Sequence, residues 1–110
     1  MANVKKVKRK PTEIELGDGV VRTIKYTLNS FAEMEDRYGD VDAAIEKMSA
    51  GSVKAIRLIL WAGLLHNDEK LTEEQVGSLI ELDDIQYLSD KMNEAMDADL
   101  PDKKEEVKNE

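Results

Sequence analysis

One histidine, no cysteine and 24 carboxylates bound the chemistry open to this 110-residue chain. His66 is the sole imidazole. As a general base it would need an orienting carboxylate, for which Asp68 is the nearest, and a nucleophile to activate. No serine stands in a G-x-S-x-G elbow and there is no thiol. The pattern therefore favours a helix-terminal histidine whose cationic form suits the C-terminal dipole. Metal ligands would have to be carboxylates and this one imidazole. DADLPD places Asp97 and Asp99 as a calcium loop would, then puts Pro101 at the fifth position and lacks glycine at the sixth. The GDG of residues 17–19 lacks the spacing and the following helix of a phosphate loop. These residues imply no catalytic, cofactor or metal site, and an enzyme is the last reading among several.

The elements that carry these residues belong to a chain long enough for one domain with a modest core. A charged fraction of 36% against 41% hydrophobic suits a solvated surface over that core. The absence of cysteine fits a reducing cytoplasm. The basic start MANVKKVKRK is followed by no apolar run, so it does not read as a secretory signal. The stretch AIRLILWAGLLH, residues 55–66, is interrupted by Arg57 and closed by HNDEK. A membrane span needs about 20 apolar residues, so this one is expected inside a protein.

Charge divides the chain. Lys5, Lys6, Lys8, Arg9 and Lys10 are five of its 16 basic residues, leaving 11 basic against 24 acidic after position 10, a net of −13. Such a body repels nucleic-acid phosphates, and only the basic arm could touch them. The arm reads first as a solvated tail. Helices three and four could imitate a helix-turn-helix, but the would-be reading segment carries Glu73, Glu74 and Glu81 and no basic residue.

The periodicities predict a mainly α fold, a small helical domain of about five helices with an N-terminal β-hairpin packed on it. Residues 1–12 form a basic arm, 13–99 the domain, and 100–110 a charged tail with too little apolar content to fold. Residues 13–28 alternate as a hairpin around GDG, with Ile14 and Leu16 on one strand and Val20, Ile24, Tyr26 and Leu28 on one face of the next. Ser30 with Glu33 fits a capping box for a helix bearing Phe31, Met34 and Tyr38, and Gly39 suits its C-terminus. A second helix from Asp40 carries Val41, Ala44, Ile45 and Met48 and ends in the SAGS turn. Ser52 caps the third, which is apolar nearly all round and therefore central. Thr72 and Gln75 make another capping box, stapled by Leu71 and Val76. Asp83 starts a fifth helix with Ile85, Leu88, Met92 and Met96 in one stripe.

Two sets of residues are candidates for binding. Met34, Met48, Met92 and Met96 lie on helical apolar faces, where methionine first fills a core and second supplies an adaptable binding surface, to which Tyr38 would add an aromatic. Trp61 is a core anchor first and an interface anchor second.

The progression IKYTLNSFAEMEDRYGDVDAAI, then AIRLILWAGLLHNDEKLTEEQVGSLI, resembles the tail assembly chaperones of long-tailed bacteriophages and gene transfer agents. A helix of the type N-x-x-x-x-x-E-x-x-Y-G is carried by Asn29, Glu35, Tyr38 and Gly39. One of the type L-x-W-A-G-L-x-H is carried by Leu58, Trp61, Ala62, Gly63, Leu64 and His66. The segment L-T-x-E-x-V-G-x-L-I follows at Leu71, Thr72, Glu74, Val76, Gly77, Leu79 and Ile80. The match covers roughly residues 20–82 and leaves out the last helix and both ends. The resemblance implies a non-enzymatic protein of the host cytoplasm. It would keep the tape measure protein soluble, assist tail tube protein polymerisation around it, and be absent from the virion. It implies no catalytic residue and no cofactor or membrane partner, and leaves homo-oligomer formation open. It also implies a second, longer product made by a −1 ribosomal frameshift, for which codons of Val107-Lys108-Asn109 can supply a slippery heptamer and those of Asp102-Lys103-Lys104 cannot. The alternatives are a small nucleic-acid-associated or regulatory protein using the arm, and a head–tail joining component that stays in the particle.

Overall fold

The computed structural model describes residues 11–99; the basic run before them and the PDKKEEVKNE segment, where the frameshift expectation falls, lie outside the described residues. The element order is β1 (Thr12–Glu15), β2 (Val21–Ile24), α1 (Leu28–Tyr38), α2 (Val41–Ser49), α3 (Val53–Leu64), α4 (Glu73–Ser78), one 3-10 turn (Leu82–Asp84) and α5 (Ile85–Asp99). The expected class is found: helices with an N-terminal antiparallel hairpin.

The hairpin pairs Thr12 with Ile24 and Glu15 with Val21. Thr12, Ile14 and Leu16 are buried while Glu13 and Glu15 are exposed, so one face lies on the helices. Thr12 belongs to the strand, and the expected arm boundary after residue 12 moves back before it. Val20 and Leu28 are corrected too. Ile24 and Tyr26 are buried, but Val20 is exposed beside the turn and Leu28 is exposed as the first residue of α1.

The caps follow the sequence with one change. Asp40 accepts from the Ala43 N–H, Ser52 from Ala55, and Thr72 from Gln75, whose side chain answers to the Thr72 N–H. The first helix is capped by Thr27 with Ser30 in a reciprocal box, three residues earlier than the Ser30–Glu33 reading. Ser30 is drawn inside because its hydroxyl has a buried partner. Gly39 ends α1 at φ +92°, a conformation glycine adopts without steric cost. Leu79 and Ile80 lie beyond α4, and the expected helix start at Asp83 is a 3-10 turn leading into α5.

Helix α3 is central as expected, touching α1, α2, α4, α5 and β2. Eight of its twelve residues are buried. Each large aliphatic among them, Ile56, Leu58, Ile59, Leu60 and Leu64, contributes about 1.5–3 kcal/mol of transfer free energy. Met34, Met48, Met92 and Met96 are all buried in the core cluster, and Tyr38 packs half-buried against it. The surface reading of these methionines is corrected accordingly. Their faces already contact other helices, so core filling is the use the fold makes of them.

A candidate interaction groove and the clasp behind it

The C-terminal end of α3 has carbonyls that its own turns leave without amide partners. The hairpin exit supplies donors for them. The Lys25 N–H donates to Gly63 O at 2.9 Å, and the Ser30 hydroxyl to Ala62 O at 2.8 Å. The Asn67 N–H donates to Leu64 O at 2.9 Å. One turn back, the Tyr26 hydroxyl donates to Ile59 O at 3.0 Å. Burial first, and the charge of Asp99 second, push the Tyr26 phenol far above its ordinary value, so it stays a neutral donor. Asp99 accepts from the Tyr26 N–H at 2.9 Å and ties α5 to the same junction.

His66 is exposed, and its Nε2–H donates to the Thr23 carbonyl at 3.0 Å, the carbonyl fixing the tautomer. Asn67 donates to that same carbonyl through Nδ2 at 2.9 Å. His66 is thus a link between α3 and β2. It lies just past the C-terminal end of α3, as expected, and the hydrogen bond to Thr23 is a contact the sequence did not indicate. Trp61 is half-buried against the core, with its indole N–H on Leu71 O at 2.8 Å. Gly63 is required by proximity: a Cβ there would sit 2.7 Å from Ile24 Cγ2 and 2.9 Å from Tyr26 Cζ. The sequence spacing singled out these positions, but the function it could not supply is the pairing of Thr23, Tyr26 and Ser30 with them. The need of α3 for C-terminal partners was the available signal.

On another side of the molecule lies an apolar groove of about 120 Å³, lined by Val53, Ile56, Arg57, Ile80, Leu82 and Ile85 with Gly77 and Glu81. Two aliphatic residues stand out from its walls, Val53 at 61% and Leu82 at 79% exposure. Arg57 is the one basic residue among those lining it. A Cβ on Gly77 would come within 3.1 Å of Arg57 Cδ, so glycine lets the arginine stem lie along α4. The Arg57 Nε–H is buried without a hydrogen-bond partner. Its nearest acid is Glu73, at 3.9 Å, and that carboxylate is already engaged by both terminal nitrogens of Arg37. None of Met34, Tyr38, Met48, Met92 and Met96 lines the groove. Sequence reading missed it: Arg57 reads as an interruption of an apolar stretch, and Leu82 stands alone between Glu81 and Asp83 with no periodic partner.

Among the described residues no group of three or more histidine, aspartate or glutamate side chains is arranged to hold a metal ion. No described helix is long and apolar enough to cross a membrane. The chain matches no family model, no curated protein and no solved structure.

Proposed function

We propose that the chain is a tail assembly chaperone of a long-tailed phage or gene transfer agent. It binds the tape measure protein in the host cytoplasm, assists tail tube polymerisation around it, and leaves before the particle is complete. It performs no catalysis. The observation that carries this reading is the groove at the junction of α3, α4 and α5, where the exposed aliphatic side chains of Val53 and Leu82 stand beside a concave apolar surface. Apolar surface of this kind rimmed by polar residues suits an apolar client segment. The motif residues Trp61, Gly63, His66, Thr72 and Gly77 support the resemblance in a second way. Each has a packing or hydrogen-bonding role, as positions that define a binding fold should.

Co-expression with fragments of the tape measure protein tests the reading. The chaperone should raise the soluble fraction of at least one fragment and co-purify with it at low salt. Leu82→Asp should weaken that capture without unfolding the domain, since Leu82 is exposed. A chain that co-purifies with no fragment under these conditions is not this chaperone.

A further inference from the structure

We infer that the Asp18-Gly19 step of the hairpin turn is a latent site of aspartate isomerisation, which the folded turn holds closed with Arg22 as its guard. It is the one place in the sequence where an aspartate or asparagine precedes glycine. The reaction is intramolecular and needs only water. The Gly19 amide nitrogen attacks Cγ of a protonated Asp18 carboxyl. The new C–N bond forms as the carboxyl OH departs with the amide proton as water. A second water then opens the cyclic imide. Addition at Cγ restores aspartate. Addition at the main-chain carbonyl carbon leaves the chain running through the β-carboxyl, an isoaspartate of unchanged mass. Glycine in second place permits the attack because no Cβ hinders the approach of its nitrogen. Asp18 and Gly19 are both exposed, so water reaches the imide.

The turn opposes the first step at both reacting groups. Arg22 holds both carboxylate oxygens of Asp18, Nη1 on Oδ1 at 3.1 Å and Nη2 on Oδ2 at 2.8 Å. The Val20 N–H donates to Oδ1 at 3.0 Å. All three bonds favour the anion, a poor electrophile, over the acid that cyclises, and they keep the carboxyl well below its ordinary pKa. They also fix the rotation of the carboxyl group. The nucleophile is engaged as well: the Gly19 N–H donates to Leu16 O at 2.9 Å and must give up that bond to attack. On the near side the Gly17 N–H is tied to Leu79 O at 2.9 Å, so the backbone rotation that closes the ring is resisted. An isoaspartate would lengthen the main chain of the turn by one methylene beside the Glu15–Val21 pair, and so loosen the hairpin register.

This inference stands apart from the chaperone reading, and its site lies outside the groove. The purified full-length chain is held in warm, neutral buffer, and isoaspartate at residue 18 is counted by fragmentation mass spectrometry of the peptide spanning the turn. Folded wild type should accumulate it many times more slowly than the same chain in urea. Arg22→Ala, with its helices retained by circular dichroism, should isomerise about tenfold faster than folded wild type, the effect of one pKa unit on the protonated fraction. Arg22→Lys keeps the charge without the two-pronged grip and should fall between them; it replaces Arg22→Ala in the comparison if that variant does not fold. A folded wild type as fast as the chain in urea overturns the inference, as does a folded Arg22 variant no faster than wild type. Absence of isoaspartate at residue 18 from the chain in urea overturns the site itself. Client capture is untouched by any of these results.

Discussion

At Gly63 a single methyl group has nowhere to go. Its Cβ would lie 2.7 Å from Ile24 Cγ2 and 2.9 Å from Tyr26 Cζ, both on side chains that are themselves buried. Two effects oppose. Alanine for glycine inside a helix gains up to about 1 kcal/mol of propensity, less near the helix end, whereas overpacking a filled site costs about 1–3 kcal/mol. Gly63→Ala should therefore destabilise by about 1–2 kcal/mol, read as a lower urea midpoint at unchanged slope. A neutral result would mean the hairpin exit is loosely held. Asp18 in the hairpin turn gives a pH prediction. Hydrogen bonds from Arg22, at 2.8 and 3.1 Å, and then from the Val20 N–H hold its carboxyl down from 3.8 to about 2. Between those values the unfolded chain binds the proton and the folded one does not, so stability rises with pH there. The contribution is complete above 3.8 and lost as pH falls through about 2. Titration of the Asp18 carboxyl by NMR should find its midpoint near 2, moving towards 3.8 in Arg22→Ala. A wild-type midpoint already at 3.8 would show that the turn ion pair is not formed.

Between elements, the junction of hairpin and α3 rests on hydrogen bonds of unequal exposure, and this ranks their substitutions. Ser30 is 1% exposed, accepts from the Thr27 N–H and donates to Ala62 O. Ser30→Ala leaves the buried Ala62 carbonyl without this donor and the half-buried Thr27 N–H without this acceptor, at about 1–3 kcal/mol for a buried group left unsatisfied. His66 is exposed and shares the Thr23 carbonyl with Asn67, so His66→Ala should cost at most about 1 kcal/mol. Urea unfolding of the two variants should place Ser30→Ala clearly below His66→Ala; the reverse order would mean the histidine link carries the junction. The same junction shows what local pattern can and cannot reveal. The caps at Asp40, Ser52 and Thr72 were legible because each depends on residues three apart. Ser30 satisfied the same grammar with Glu33, and its true partners, Thr27 behind it and Ala62 on α3, decided otherwise. The methionine stripes marked buried faces correctly, since period and apolarity are local properties. The groove was illegible for the complementary reason. Arg57 and Leu82 come together only through the approach of α3 to the turn before α5, which no spacing encodes.

For the whole molecule, charge and groove act at different ranges. Residues 11–99 carry 8 basic against 20 acidic side chains, while the ten residues before them carry five basic and no acidic ones. Under the proposed function, a net-negative domain would draw basic client stretches from a distance, an effect that fades once separations exceed a Debye length of about 8 Å at physiological salt. Contact with an apolar segment would, under the same proposal, be short-ranged and depend on Val53 and Leu82. Deleting residues 1–10 takes the chain from −8 to −13 and removes nothing from the groove. The deletion should leave the solubility of a co-expressed tape measure fragment at the full-length level or above it. It should also speed capture at low salt, with the advantage disappearing as salt is raised. Measurement of association rates across a salt series, for the full-length and shortened chains side by side, separates steering from docking. Loss of client solubility on deletion, with the groove residues intact, would assign the client contact to the basic arm and remove it from the groove.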